Sequence, residues 1–414
     1  MSELKGACIF GQSGGPTSVI NASAAGVFEE ALKNDSITNV YGAAHGIRGM
    51  LDDVIYDISK EDPEELKLLL NSPSSALGSV RYKLKHFDED ETDYKKLLAL
   101  FKKYDIRYFF YNGGNDSMDT CNKVSQYMQQ SGYEFRVMGV PKTIDNDLWG
   151  TDHCPGFGSA AKYVATSCME VSLDSRVYDT GMIVIMEVMG RNAGWLTAAT
   201  ALATAKGMGP NLIYLPEVAF SFERFFSDVK TIYESQKKVL IAVSEGIKDD
   251  KGTLISEYQK STAKTDMFGH AQLGGVASYL AGRVGNVIDT KIRPIEFSLL
   301  QRCAAHCASK VDIEESYMSG KLAVQYATQG MSGYMVGFER GEGPVYTCKP
   351  KLFELTSVAN AEKKIPDEWI NKRGNGLTQA FIDYASPLIS GEPELPRVDG
   401  LPRFAKLKKV RATV

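Results

Sequence analysis

Pro141-Lys142-Thr143-Ile144-Asp145-Asn146-Asp147-Leu148 gathers two carboxylates, a lysine and an amide in one short stretch. The preceding segment, Glu134 to Val140, reads as a buried strand from its apolar residues. The polar groups therefore leave the carboxyl end of a strand together, which in open α/β sheets is where ligands bind. One carboxylate could take a proton from an attacking hydroxyl and the other could hold a divalent cation. The lysine could neutralise a phosphate. Taken alone, the same residues also read as a polar turn.

Similar groups recur at other strand ends. Ser13-Gly14-Gly15-Pro16-Thr17-Ser18 turns a strand into a helix, with glycines that let a ligand approach the backbone and amides that attract anions. It has neither the Walker spacing nor GxGxxG. Gly113-Gly114-Asn115-Asp116-Ser117 has the same shape but adds a carboxylate, which also reads as a cap on the following helix. Gly78-Ser79-Val80-Arg81 and Met189-Gly190-Arg191 each offer a guanidinium, and Ser244-Glu245-Gly246 a further acid. As single residues, most such arginines are surface ion-pair partners.

The elements that must position these groups alternate. Strands are expected at Ala7–Phe10, Tyr108–Tyr111, up to Val140, at Met182–Val188, Asn211–Leu215 and Val239–Val243. Helices are expected from about Thr17 to Lys33, up to Gln130, through Trp195–Ala205 and near Asn375–Tyr384. This alternation predicts parallel sheets with helices on both faces. With 414 residues, it points to two Rossmann-like α/β domains meeting near Gly150–Gly158. The expected division is 1–155, completed by about 272–330, and 156–271, completed by about 331–390. The charged segment Asp52–Asp93 should decorate the first domain. Residues 391–414 form a basic tail, with Arg403, Lys406, Lys408, Lys409 and Arg411, that reads as packed on an acidic face.

A net charge of −4 gives no sign of nucleic acid or an anionic membrane as partner. Met1–Gly6 does not read as a signal peptide, and the apolar stretch Trp195–Ala205 is too short to span a bilayer. Seven cysteines without a CxxC pair argue for reduced thiols in a cytoplasmic protein. Cys303, His306 and Cys307 have helical spacing but no fourth metal ligand near in sequence, so they read as packing residues.

The chain resembles the phosphofructokinase family, and within it the pyrophosphate-dependent branch. The motifs that carry the likeness are Gly14-Gly15 followed by Asn21, Gly113–Ser117, Thr143–Asp147, Met189–Arg191, Ser244–Gly246 and Gly269-His270-Ala271-Gln272-Leu273-Gly274-Gly275. The likeness implies reversible phosphoryl transfer from pyrophosphate to the 1-hydroxyl of fructose 6-phosphate, a step of glycolysis, with Mg²⁺ as cofactor. It assigns Asp145 as the base and places Asn115 and Asp147 near the metal. Gly15, Arg81 and Lys142 would line the donor site. Thr143, Ile144, Met189, Gly190, Arg191 and Glu245 would hold the sugar. His270 and Lys264 would meet the 6-phosphate, Lys264 from a neighbouring subunit, so a homodimer or homotetramer is implied. Asp116 and Lys142 stand where ATP-using members carry glycines, which implies a site closed to a nucleotide's α-phosphate.

The chain departs from the family pattern at several positions. Asn115 replaces an acid, while Leu273 and Met182 stand where sugar-phosphate arginines are common. The first helix, Asn21-Ala22-Ser23-Ala24-Ala25, lacks the regulatory arginines of the bacterial ATP enzymes, so similar allosteric control is not expected. Two other readings stand beside this one: an ATP-dependent sugar-phosphate kinase, and a non-catalytic sugar-phosphate sensor. A sensor has no need of the pair Asp145 and Asp147.

Overall fold

In a computed structural model of the chain, residues 4–258, 275–359 and 361–413 are described. Among the described residues, eleven strands build the two main sheets. They are β1 (Gly6–Gln12), β2 (Ile37–Ala43), β3 (Ile55–Asp57), β4 (Ile106–Gly113), β5 (Arg136–Pro141), β6 (Met182–Val188), β7 (Leu212–Tyr214), β8 (Lys238–Ser244), β9 (Lys291–Glu296), β10 (Tyr334–Arg340) and β11 (Cys348–Glu354). The first sheet runs β11-β10-β5-β4-β1-β2-β3, with the second in the order β7-β8-β6-β9. Every pairing among β10, β5, β4, β1 and β2 is parallel, while β3 and β11 close the edges antiparallel. The second sheet is wholly parallel.

The central strands are short and almost continuously apolar because helices cover both faces. β1, β4 and β6 accordingly carry Cys8, Ile9, Phe10, Phe109, Phe110, Ile183 and Ile185 with no exposed surface. In each sheet the strand order reverses beside an early strand, between β1 and β4 in the first and between β6 and β9 in the second. Such reversals open a crevice at the carboxyl ends.

Two helical expectations are corrected. Trp195–Ala205 is two short helices, Trp195–Ala198 and Ala201–Thr204. The break falls where the Thr200 hydroxyl donates to the Thr197 carbonyl and competes with the helical ladder. The last predicted helix starts later, at Gln379, and ends at Ala385.

The completion of the domains is also corrected. β9 joins the second sheet, while β10 and β11 join the first, the reverse of the expected assignment of those segments. The helix Lys310–Thr328 explains the exchange. It lies against the helix Ile20–Lys33 so closely that a Cβ on Gly26 would come 2.1 Å from the Tyr317 carbonyl oxygen, and one on Gly320 2.0 Å from that of Ser23. Once docked there, the chain emerges beside β5, where β10 pairs in parallel.

Asp312 of the same helix accepts from the Gly156 and Ser159 amides at 2.9 and 2.8 Å, satisfying the start of the helix Phe157–Ser175. The basic tail runs over the first domain, where Glu65 pairs with Arg403 and Glu61 accepts from the amides of Lys408 and Lys409.

Candidate active site

The loops after β1, β4, β5, β6 and β8 converge on one cleft of about 350 Å³. It is lined by Gly14, Gly15, Arg81, Asn115, Asp116, Lys142, Thr143, Ile144, Asp145, Asp147, Met189, Arg191 and Glu245, all named above from sequence. It also takes in Tyr82, Asn192, Arg302 and Glu362, which sequence reasoning missed.

On one side stand three cations. Lys142 is buried at the end of β5 and donates to the Gly15 carbonyl at 2.6 Å. A Cβ on Gly15 would lie 2.9 Å from an Arg302 nitrogen and 3.9 Å from one of Arg81, and a Cβ on Gly14 would lie 3.2 Å from Lys142 Nζ. The glycines therefore leave a gap bordered by three positive groups. Arg81 is brought there by its own segment, for the Ser79 hydroxyl donates to the Gly14 carbonyl at 2.6 Å and the Gly14 amide to the Val80 carbonyl at 3.0 Å. Asn21 works behind the cleft. Its side chain accepts from Gln12 and the Ala76 amide and donates to the Ser72 carbonyl, fixing the segment that leads to Arg81.

The helix Asn115–Gln130 points its amino terminus at the same gap, with Gly114 at the cap position and no side chain capping it. That corrects the capping alternative for Asp116. Asp116 lies in the first turn, exposed, with its residue lining the cleft.

On the other side are Met189, Gly190, Arg191 and Glu245. Gly190 has φ 140°, a conformation open to glycine, and its amide donates to Glu245 at 3.3 Å. The Ser244 hydroxyl donates to the Gly190 carbonyl, and the Gln301 side chain accepts from the Met189 amide at 3.1 Å. Ile144 borders the cleft while its side chain packs in the second domain's core.

Between the two sides sit the carboxylates. Burial pushes Asp145 above the usual carboxylate range, opposed by Lys142, Arg191, Arg81 and Arg302. Burial also raises Asp147, reinforced by the negative charges of Asp145 and Glu362. Burial holds Lys142 down at about 8, against the pull of Asp145 and with help from Arg81. The Asn115 amide donates to Asp147 at 3.4 Å, and its carbonyl oxygen is buried with no hydrogen-bond partner.

Lys264, His270 and Leu273 lie outside the described residues. Met182 opens β6 and is buried, at the far end of that strand from Met189. The Cys303 and Cys307 thiols contact the Leu300 carbonyl and the Thr166 hydroxyl, and the two cysteines form no metal-binding group among the described residues. Arg302 and Glu362 gave little signal in sequence. Arg302 is a single charge on the short helix Leu300–Cys303 and Glu362 opens the charged run Glu362-Lys363-Lys364; only the position of Arg302 just beyond a strand could have marked it.

The Phosphofructokinase family model matches residues 8–288. The chain is 43% identical to the pyrophosphate–fructose 6-phosphate 1-phosphotransferase of Halomonas elongata, over 97% of this chain and 96% of that one. It is 45% identical to the protein of the same name from Xanthomonas campestris, over 98% and 97%. Among solved structures, it resembles the pyrophosphate-dependent phosphofructokinase of Nitrosospira multiformis with a TM-score of 0.89 at 40% identity, covering 98% of each chain. This chain belongs to the phosphofructokinase family.

Proposed function

We propose that the chain transfers a phosphoryl group reversibly between pyrophosphate and the 1-hydroxyl of fructose 6-phosphate, giving fructose 1,6-bisphosphate and phosphate in glycolysis. The observation that carries this reading is the position of Asp145. It lies between a cationic gap at Gly14–Gly15 and the group Met189, Arg191 and Glu245.

The cationic side suits the donor. Arg81, Lys142 and Arg302 surround the glycines, and the amino terminus of Asn115–Gln130 adds its partial positive charge. Asp116, on the first turn, would repel a further phosphate group and so favours pyrophosphate over a nucleoside triphosphate. The other side suits the sugar. In the forward direction Asp145 takes the proton of the 1-hydroxyl as that oxygen bonds to phosphorus. The bridging P–O bond of pyrophosphate breaks and phosphate leaves between the cations. A carboxylate whose proton affinity is raised by burial is a better acceptor for an alcohol proton than one in water. Catalysis otherwise rests on positioning and charge neutralisation.

Asp147 and Asn115 would hold Mg²⁺. The orphaned Asn115 oxygen and the raised Asp147 both fit a cation between them. Bound there, the metal supplies further neutralisation of phosphate charge.

A homo-oligomer, dimer or tetramer, is part of the proposal. β9 is a parallel edge strand exposed along most of its length, and Val287, Leu299 and Leu300 near it are 61%, 55% and 60% exposed. Sedimentation of a fully active monomer would refute it. A cytoplasmic location agrees with seven free cysteines and with the finding that no helix of the described residues is long and apolar enough to cross a membrane.

A donor comparison tests the reaction. With fructose 6-phosphate and Mg²⁺, pyrophosphate should support turnover and ATP and GTP should not. A parent enzyme that prefers ATP would overturn the reading.

A further inference from the structure

Between the two carboxylates stands Asn146, and its side chain turns the other way. Asp145 and Asp147 line the cleft while Asn146 is fully buried behind it. Its φ is +55°, a left-handed conformation that asparagine adopts more readily than most L residues. Both ends of its amide are held. The Oδ1 accepts from the Cys154 amide at 2.8 Å, and the Nδ2 donates to the Tyr384 hydroxyl at 2.8 Å. That hydroxyl in turn donates to the Asp152 carbonyl at 2.7 Å.

A second strut runs in parallel. The Lys363 amide donates to the Asp147 carbonyl at 2.8 Å, and its ammonium donates to the carbonyls of Thr151 and Asp152 at 3.1 and 2.6 Å. Both struts end on Asp152, which is itself immobilised. Its carboxylate accepts two oxygens' worth of bonds from Arg340, at 3.0 to 3.2 Å, and one from His153 Nδ1 at 2.9 Å. His153 Nε2 reaches Glu315 at 2.5 Å, on the helix that ties the two domains.

We propose that Asn146 and Tyr384 are positioning residues for the phosphoryl-transfer reaction: together they lock the turn that sets the direction and spacing of Asp145 and Asp147. Neither touches the cleft, so each acts only through the geometry of the carboxylates. Phosphoryl transfer depends heavily on positioning, and an error of about 1 Å can cost about a hundredfold. The inference rests on the reading of Asp145 as the base.

Tyr384→Phe is the sharpest test. The ring stays packed against Trp195 and Trp369, at 5.4 and 5.1 Å between centroids, and only the hydroxyl link is lost. Asn146→Gly removes both tethers yet accepts the positive φ, so backbone strain alone is not the cause of its effect. With pyrophosphate and fructose 6-phosphate, kcat should fall about tenfold in Tyr384→Phe and about a hundredfold in Asn146→Gly. KM for both substrates should stay within about twofold. The double variant should be no slower than Asn146→Gly, because the two residues act through one link. Parent-like kcat in Tyr384→Phe, a change confined to KM, or kcat losses that multiply in the double variant would each overturn the proposal. Should Asn146→Gly fail to fold, Tyr384→Phe alone decides. Turnover of the parent with pyrophosphate scores the functional reading separately, since the variants are scored only as ratios to it.

Discussion

Lys142 offers a direct reading of the site's electrostatics. Its ammonium is buried, bonded to the Gly15 carbonyl at 2.6 Å, and held at a pKa of about 8 in the free protein. Pyrophosphate entering the gap beside it would change that value. One negative charge at ~4 Å contributes about 4 kcal/mol at an effective dielectric near 20. At about 1.36 kcal/mol per pKa unit, the lysine would rise by roughly three units on binding. Binding therefore takes up a proton between about pH 8 and about pH 11. The sign is fixed: below pH 8 the lysine is already charged and the pyrophosphate KM is flat, and above it KM climbs about tenfold per pH unit. Lys142→Met removes this linkage, and pyrophosphate's own ionisation affects both proteins alike. The ratio of variant to parent KM should be about 10²–10³ at pH 7 and should shrink about thirtyfold by pH 9.5. Lys142→Arg, whose charge does not titrate in this range, should show no such loss. Initial rates at saturating fructose 6-phosphate supply the numbers. A KM ratio constant from pH 7 to 9.5 would refute the placement of Lys142 against the donor.

Asp145→Asn should lower the forward rate by about 10²–10⁴ with little change in sugar affinity, and a variant within threefold of the parent would remove Asp145 from the role of base. Asp116→Gly should admit measurable ATP use and weaken pyrophosphate turnover, since it lifts a repulsion of about 4 kcal/mol against a further phosphate. Loss of thermal stability without any ATP use would show that Asp116 serves only the helix start. The Asp152–His153–Glu315 group should make stability fall at both extremes of pH. Burial pulls His153 down, but Glu315 and the bonds to Asp152 and Glu315 outweigh it and leave it at about 9. Its contribution is complete below about pH 6.5 and is lost as pH rises through 9, about 3 kcal/mol in all. Burial raises Asp152, but its bonds to His153 and Arg340 bring it to about 2, so its contribution is present above about pH 4 and lost as pH falls through 2. Denaturant titrations of the parent and of His153→Gln check this; an alkaline decline that survives in the variant would assign it elsewhere.

Much of the site was legible in the sequence because most of its parts, Arg81 excepted, directly follow a strand. A short apolar run that ends in glycine, serine or a charged residue announces both the strand and the group it delivers, as in β4 with Gly114-Asn115-Asp116 and β5 with Lys142. The parts that were not legible come from segments whose place is decided by distant packing. Arg302 and Glu362 reach the cleft because β9 pairs with β6 and because the chain after β11 passes beside Leu148. Nothing in the local pattern of β10 says which sheet it joins. That follows from Gly26 and Gly320, whose missing side chains let two helices touch, and such a contact leaves no periodic mark. Tyr384 and Lys363 were hidden for the same reason: their partners, Asn146 and Asp147, lie more than 200 residues earlier.

The free site holds its charges under opposing stress. Burial raises Asp145, Asp147 and Glu245 and lowers Lys142 and Arg302, so acids and bases alike are pushed toward neutrality. A nucleotide donor would bring an apolar base and a sugar to bind, and the charges would share the work. Pyrophosphate brings only charge. A site made of buried, mutually opposed ions is therefore suited to it: the anion restores the cations, and a divalent cation at Asp147 and Asn115 would restore the acids. The same feature explains why the turn at Asn146 has to be rigid. Two carboxylates that repel each other across one residue would swing apart if the backbone allowed it, and the tethers to Cys154, Tyr384 and Lys363 oppose that motion from the side that substrate never touches.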